Sequence, residues 1–302
     1  MSQCKRMRDN TTHRGWQAPH RNKPLRHAIL TVLLLQAMLH AGMTQELYVF
    51  SEPASNMPAR AVSLKYAGRF QKGLVSGSTE HRQYAYAQFG LSKKWMLRAG
   101  TTFSSMYSYP KTRWESVNLY AKYRFLSVDD VHRHFRMAAF AEAAYSRNNP
   151  MYDEISMEGD QSGIQAGIVM TQLLHKLAIS STLSVAEVLN ARRWDAAHTG
   201  MHSYEAFNYS VSAGYLLFPR RYNSYEQTNI NLYLELIGSR NLDKNKFYVD
   251  LAPAIQLILN SNTKLNAGYR FQAGGNMFRM AEKSFLISLE TTFLNKLKRR
   301  TS

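Results

Sequence analysis

The sequence has little cysteine and no long apolar run. Its 302 residues include one cysteine, Cys4, which excludes a disulfide scaffold and a cysteine-based metal site. A transmembrane helix needs about 20 apolar residues, whereas the longest apolar run, 28–39, is shorter. The mean hydropathy of −0.38 is also low. Together these features exclude a membrane protein built from several helices.

Acidic residues are scarce as well. There are 21 of them against 38 lysines and arginines, which gives a net charge of +17 and an isoelectric point of about 9.9. Such a charge is typical of nucleic-acid-binding domains. The basic residues are nevertheless spread along the chain and form no stripe interleaved with aromatic side chains, as a single-stranded nucleic-acid site needs. We therefore predict no nucleic-acid partner.

Motifs for catalysis and for metal binding are also absent. The sequence contains no G-x-S-x-G, H-E-x-x-H or C-x-x-C pattern. His132 and His134 follow Asp129 in a predicted turn, where we interpret them as solvated. Two acidic groups, 152–154 and 158–160, could hold Ca²⁺ but lack the ligand spacing of an EF-hand loop, so we interpret them as solvated too. The sequence predicts no enzyme, no cofactor and no metal site.

The N-terminal region has the composition of an export signal. Residues 1–27 carry seven basic side chains and one acidic one, and the apolar run 28–39 follows. Small residues then precede a predicted cleavage site within 43–45. We predict a basic leader and signal peptide over 1–44 and one domain over 45–302, with a buried N-terminal helix as the alternative for the leader. Cleavage would lower the net charge to about +11.

From residue 59 onward polarity alternates with a period of two, which is typical of β-strands. Ile230 and Leu232, for example, alternate with Asn231 and Tyr233. Many of these segments match the roughly 9–11 residues of a strand tilted across a membrane. Strands are predicted at 60–71, 83–91, 95–105, 113–125, 135–146, 162–174, 177–186, 204–218, 228–239, 248–260, 265–274 and 284–294.

The predicted connections alternate in length. Those after even-numbered strands include the short 92–94 and 175–176, and those after odd-numbered strands include 147–161 and 187–203. Outer-membrane barrels have short periplasmic turns, long extracellular loops and aromatic residues near the strand ends. The sequence therefore predicts an all-β fold, a transmembrane antiparallel up-and-down β-barrel of twelve strands. The alternative is a soluble β-sandwich or lipocalin-like barrel, whose apolar face would point inward.

Four segments carry a resemblance to a known family. They are QELYVFSEPASNMPA (45–59), LSKKWMLRAGTTFSSMYS (91–108), KYRFLSVDDVHRHFRMAAFAEAAYS (122–146) and DLAPAIQLILNSNTKLNAGYRFQ (250–272). In them the chain resembles uncharacterised outer-membrane β-barrel proteins of Bacteroidetes, and the resemblance extends over 45–295. It implies a barrel fold and a location in the cell outer membrane of a Gram-negative bacterium. It implies no catalytic or ligand-binding residue.

If the apolar positions face lipid, the opposite positions line the lumen. An excess of cations there favours a passive, porin-like channel for small solutes, anions in particular, because a charged pore concentrates counter-ions. The alternative is a non-conducting structural or partner-binding barrel whose lumen is filled by salt bridges. We expect contact with outer-membrane lipid and lipopolysaccharide, and with the barrel-assembly machinery during biogenesis. The predicted lumen-lining residues are the cationic Lys65, Arg69, Arg98, Lys122, Arg124, Arg136 and Arg270 and the anionic Glu142, Glu235, Asp250 and Glu290.

Overall fold

The chain closes into a barrel. A computed structural model describes residues 48–73, 77–106, 111–130, 133–148, 152–189, 203–219 and 227–297, and the predicted signal peptide lies outside them. Within these ranges twelve antiparallel strands each pair with the next along the chain, and the last pairs with the first. No helix in the described ranges is long and apolar enough to span a membrane. The predicted up-and-down barrel of twelve strands is confirmed.

The two ends of the barrel differ in that the first strand begins and the last strand ends at the same one. We call the end at which the first strand begins and the last strand ends the proximal end, and the opposite end the distal end. The strands are Val62–Lys72 (β1), Thr79–Gly90 (β2), Trp95–Ser104 (β3), Arg113–Asp129 (β4), Arg133–Ser146 (β5), Gly163–Leu174 (β6), Leu177–Val188 (β7), Glu205–Phe218 (β8), Asn229–Asn241 (β9), Phe247–Leu259 (β10), Thr263–Gly275 (β11) and Lys283–Phe293 (β12).

The burial pattern of the strands is the reverse of that in a soluble protein. In β9, Asn231, Tyr233 and Glu235 are buried, whereas Leu232 and Leu234 are 43% and 54% exposed. Because side chains alternate across a strand, the apolar face points outward and the polar face points into the barrel. A soluble sandwich or lipocalin-like barrel would bury its apolar face instead. That alternative is therefore excluded.

Aromatic side chains collect at both rims of the outer surface. At the proximal end Trp95 packs on Tyr123, with ring centroids 4.7 Å apart. At the distal end Trp114 lies 6.5 Å from Tyr145. Between the rims the exposed side chains are mostly leucine, isoleucine and valine. An apolar band between two aromatic girdles is the outer surface of a transmembrane barrel.

Most predicted strand boundaries lie within two residues of the observed ones, but two differ by four residues. β2 begins at Thr79 rather than at residue 83, so Arg82 lies on the wall of the barrel rather than in a loop. β4 extends to Asp129, and His134 lies in β5 rather than in a turn. The prediction was wrong at β2 because residues 79–82 are all polar, so hydrophobicity does not alternate along them. At β4 it was wrong because the extra residue Phe125 of a β-bulge interrupts the period of two.

Two arginines near a β-bulge in β4 face the lumen at the proximal rim. The register shifts after Arg124, which leaves Phe125 as an extra residue. Arg124 pairs with Ala138, whose side chain is buried inside the barrel, and beyond the bulge Ser127 pairs with Arg136. Both arginine side chains therefore face the interior.

An arginine in place of Leu234 tests the outward apolar band. Arginine on the lipid face of a barrel costs about 2–4 kcal/mol at the bilayer midplane and about 0–1 kcal/mol near the interfaces. We expect Leu234→Arg to lower the free energy of unfolding by about 2–4 kcal/mol, measured by urea titration in lipid vesicles. The matched control is Leu242→Arg, since Leu242 is equally exposed at 54% but lies beyond the distal end of β9. Equal losses of unfolding free energy in the two variants would contradict a lipid-facing apolar band.

Candidate functional site in the barrel lumen

The interior of the barrel carries ionisable side chains along its length. All eleven residues predicted to line the lumen lie at strand positions that face inward. Their contacts divide them into several groups rather than bringing them into one cluster. The groups are Arg98, Lys122 and Glu142; Arg69, Asp250 and Arg270; Arg124 and Arg136; Lys65, which pairs in register with Glu290; and Glu235, which contacts the N-terminal part of the described chain.

Residues 48–60, which we call the inner segment, enter the lumen. The backbone N–H groups of Val49, Phe50 and Ser51 all donate to the carboxylate of Glu235, at 2.8–2.9 Å. Three successive N–H groups directed at one carboxylate form an anion-binding nest, and Glu235 is fully buried. The inner segment is therefore attached to β9 by charge-assisted hydrogen bonds.

On the opposite side of the lumen the inner segment contacts β3 and β4. The Glu52 carboxylate pairs with Arg98 and lies 3.4 Å from Lys122 Nζ. Lys122 Nζ also donates to the backbone carbonyls of Pro53 and Ser55, at 2.9 and 3.1 Å. Since β3 and β4 lie across the barrel from β9, the inner segment spans the bore.

Aromatic rings orient Arg98. Its guanidinium carbon lies 4.4 Å from the ring centroid of Tyr120 and 5.1 Å from that of Tyr86. One guanidinium nitrogen pairs with Glu52 and another lies 3.7 Å from Glu142. Stacking of a planar guanidinium on aromatic faces leaves its edge free to bind carboxylates.

The β5–β6 connection folds back into the distal half of the lumen, and we call its residues 152–162 the inner loop. Glu158 binds Arg69 at 2.9 Å, and Asp160 binds Arg82 at 2.6 Å. Both arginines lie on the wall, in β1 and β2. The inner loop is thus held in the lumen by ion pairs to the strands.

Arg82 is enclosed by carboxylates from the wall and from the inner loop. Its side chain is only 2% exposed and binds Glu115, which is fully buried, at 2.8 Å as well as Asp160. A Cβ atom at Gly159 would lie 3.0 Å from the Arg82 guanidinium, and Gly159 has a φ of +113°. Glycine is therefore required where the inner loop passes this arginine.

A second distal segment, residues 276–282, packs against the inner loop. The Arg279 guanidinium carbon lies 3.7 Å from the ring centroid of Tyr248. Arg279 also binds Asp250 at 2.7 Å and Glu154 at 3.1 Å. This arginine therefore connects the inner loop to the wall at β10.

Arginines lower the pKa of two inner-loop carboxylates, Glu154 and Glu158. Burial alone would raise the pKa of the Glu154 carboxyl, but the guanidinium groups of Arg279 and Arg270 hold that pKa below its ordinary value. In the same way Arg69, against the effect of burial, holds the pKa of Glu158 below its ordinary value. Both carboxylates are ionised at neutral pH and offset the charge of the surrounding cations.

The inner segment and the inner loop change the charge balance predicted for the lumen. The predicted excess of cations holds for the strands of the wall but not for the interior as a whole, because the segments that enter the bore bring carboxylates. The interior residues absent from the predicted set are the anionic Glu52, Glu80, Glu115, Glu154, Glu158 and Asp160 and the cationic Arg82, Lys264 and Arg279.

The acidic groups of the inner loop were interpreted as solvated, which is wrong for Asp153, Glu154 and Asp160, whereas the Glu158 side chain is 43% exposed. Each of these carboxylates binds a basic side chain: Asp153 lies 3.7 Å from Lys246 Nζ, and the others bind arginines. The described ranges hold no group of three or more histidine, cysteine or acidic side chains placed to bind a metal. His132 lies outside these ranges. The signal in the sequence was the unbalanced wall cations together with a dense acidic cluster outside the strands.

A cavity of about 270 Å³ remains between the inner segment and the inner loop. It is close in size to the smaller ligand pockets of proteins, which begin at roughly 300 Å³. Its lining has a charged and aromatic side, which includes Arg69, Arg98, Tyr120, Tyr248 and Arg270, and a neutral polar side, which includes Gln165, Thr182, Ser184, Asn208 and Ser210.

No protein family model and no curated protein matches the sequence. Among solved structures, the COG4313 outer membrane channel from Pseudomonas putida F1 matches with a TM-score of 0.54 at 10% identity, covering 82% of this chain and 100% of that one. The KdgM porin and the NanC porin match with TM-scores of 0.46 and 0.44 at 10% and 11% identity, each covering 76% of this chain and 99% and 98% of their own. The likeness to the Pseudomonas channel shows that this chain has a porin-like barrel fold.

Neutralising Glu235 is expected to loosen the inner segment. In Glu235→Gln, one amide oxygen replaces a carboxylate that accepts three N–H bonds, which should cost about 2 kcal/mol. We expect faster hydrogen exchange at Val49–Ser51 in detergent, measured by mass spectrometry, with no change in the strands. The control is Glu290→Gln, since Glu290 pairs with Lys264 of β11. The same exchange rate at Val49–Ser51 in both variants would count against the attachment.

Acid is expected to release the inner loop. Because the pKa values of Glu154 and Glu158 lie below their ordinary value of 4.5 in the folded protein, these groups stabilise the loop above about pH 4.5 and lose that effect as the pH falls through the folded values. Proteolysis or hydrogen exchange of residues 152–162 should therefore increase from about pH 5 to about pH 3. The double variant Glu154→Gln/Glu158→Gln removes these two carboxylates and should lose the part of the pH dependence that they supply, while Asp160 still pairs with Arg82. An unchanged pH dependence in that variant would refute their role.

Proposed function

We propose that the protein is a porin-like channel of the outer membrane through which small anionic solutes pass passively. The observation that carries the proposal is the origin of the charges in the lumen. The strands of the wall hold more lysine and arginine than acid, and the compensating Glu52, Glu154 and Glu158 stand on segments that fold into the bore. A wall that is basic in itself attracts anions wherever these segments leave space. The proposal involves no catalysis.

The outer membrane is the proposed location for reasons of surface and fold. The outward apolar band and the two aromatic girdles suit a bilayer, and the barrel shares its fold with the Pseudomonas putida channel. The resemblance to Bacteroidetes proteins stays a prediction.

The lumen also suggests the size and chemistry of the solute. A solute that fits the cavity of about 270 Å³ is a small molecule. Its anionic group would meet the arginines, and its hydroxyl or amide groups would meet the side of the cavity that carries Ser184, Asn208 and Ser210. Partly filled pores of this kind restrict passage by size and by charge.

A non-conducting barrel is the second candidate, and the filling of the bore favours it. The inner segment spans the lumen, and the Arg82–Glu115 pair is almost completely buried. Breaking such a pair by removing one partner costs about 3–5 kcal/mol. In such a barrel the distal surface would carry the function. Exposed arginines there, Arg147 and Arg240, suit the phosphates of lipopolysaccharide.

Conductance of the refolded protein in planar bilayers separates the two candidates. A channel with a basic wall should give discrete current steps, and its reversal potential in a salt gradient should show preference for anions. Heat-modifiable migration in electrophoresis serves as the control for a folded barrel. No current at any salt concentration from folded protein would refute the channel and leave the second candidate.

Charge reversal at Arg124 tests the source of the anion preference. Arg124 faces the lumen near the proximal rim, so Arg124→Glu should lower the ratio of anion to cation permeability roughly threefold or more. The control is Lys93→Glu, since Lys93 is exposed in the β2–β3 turn at the same end. The ratio should change little in the control. Equal changes in both variants would assign the preference to surface charge rather than to the lumen.

A further inference from the structure

Glu52 is the only charged residue between Tyr48 and Ala59 of the inner segment. Its carboxylate is placed on two cations of the wall, Arg98 and Lys122. A single acid on an otherwise uncharged segment thus contacts the pair of cations that the segment crosses.

Arg98 and Lys122 have the geometry of a carboxylate receptor. The Arg98 guanidinium is stacked against Tyr86 and Tyr120 and presents its nitrogens to acceptors at its edge, which matches the fork of a carboxylate. Lys122 Nζ lies on the other oxygen of Glu52. The aromatic rings exclude water from the faces of the guanidinium and so strengthen the ion pair.

The Arg98 side of the receptor is open to space within the lumen, whereas Lys122 is buried. Arg98 and Glu52 line the cavity of about 270 Å³ and also a smaller one of about 60 Å³. A solute in the larger cavity therefore reaches Arg98 without moving a strand. The edge of the Arg98 guanidinium that a solute carboxylate would bind is the edge that Glu52 occupies.

The two carboxylates that hold the inner segment differ in what an anion can do to them. Glu235 belongs to the wall and accepts backbone N–H groups of the segment, with no cation among the donors to it that the structure gives. Glu52 belongs to the segment and binds cations of the wall. A solute carboxylate can take the place of Glu52 on the same cations, whereas the attachment at Glu235 stays intact.

We propose that Arg98 and Lys122 form a carboxylate-binding site in the lumen, which the chain's own Glu52 occupies, and that small carboxylic acids compete with Glu52 for it. The proposal rests on the proposed function for its choice of ligand, because it names the class of anion that the channel admits. Binding at the site is nevertheless measurable without conductance, so the binding site and the channel function can be refuted independently of each other.

Tethering sets the concentration at which a free acid competes. The attachment at Glu235 lies only one residue from Glu52 in the segment, and a short tether gives an effective concentration of the order of millimolar or higher. Free carboxylate must therefore reach that range to displace Glu52 in the native protein. Removing the charge of Glu52 removes this intramolecular competitor and should therefore tighten the binding of the free acid.

The test measures succinate binding by isothermal titration calorimetry to the refolded full chain in detergent. We expect Glu52→Gln to bind succinate at least about tenfold more tightly than the native protein. The control Glu290→Gln removes a carboxylate that pairs with Lys264 instead and should bind like the native protein. Affinity in Glu52→Gln that is no higher than native would overturn the proposal.

Adding Arg98→Gln to Glu52→Gln locates the bound acid. The double variant should bind succinate at least about tenfold more weakly than Glu52→Gln, since it lacks the guanidinium. Succinamide, which carries no charge, should not bind any variant. Equal affinity in the single and double variants would place succinate elsewhere and overturn the site.

Glu52→Asp keeps the test valid if Glu52→Gln does not refold. Aspartate keeps the charge but is shorter by one methylene, so it withdraws from Arg98, and succinate should bind with intermediate affinity. Native affinity in this variant would overturn the proposal. Tight binding of succinate to a barrel that passes no current would support the site and refute the channel. Current through a barrel that does not bind succinate would support the channel and refute the site.

Discussion

The need to pair charges inside the barrel is the constraint on which the rest of the structure depends. An unpaired cation in a low-dielectric interior costs several kcal/mol, and the strands alone carry more cations than carboxylates. The missing carboxylates come from segments that fold into the bore. Arg98 and Arg69 bind Glu52 and Glu158, which belong to the inner segment and the inner loop rather than to any strand.

The lumen is filled by polar contacts because the apolar residues of the strands point outward. Strands that give leucine and isoleucine to the outer surface keep few of them for a core, so the lumen cannot be packed as a soluble protein is. A small apolar cluster around Tyr48, Tyr233 and Leu286 covers one part of the inner segment. Hydrogen bonds with defined partners hold the remainder and specify one position for it.

The sequence predicts what depends on neighbours along the chain. All twelve strands follow from the local period of two, and so do the inward positions of the predicted lumen-lining residues. Glu115 could not be assigned in this way, because a register shift between β3 and β4 buries both Glu115 and its neighbour Ser116. Arg82 was misplaced because residues 79–83 are polar on both faces, and the end of β4 because the β-bulge at Phe125 interrupts the period. The course of the inner segment was beyond prediction, since it depends on contacts such as that between Phe50 and Glu235, which are 185 residues apart.

In the proposed channel, the contrast between the wall and the inner segment offers anions a route through the lumen. Cations fixed on strands cannot leave the bore, whereas two of the carboxylates that neutralise them, Glu52 and Glu158, stand on segments without a strand's hydrogen-bond ladder. A solute anion that replaces Glu52 or Glu158 leaves the number of ion pairs unchanged. An anion that displaces one of these carboxylates therefore keeps the charges of the lumen balanced. A cation cannot do so, because it would add to the positive charge of the wall.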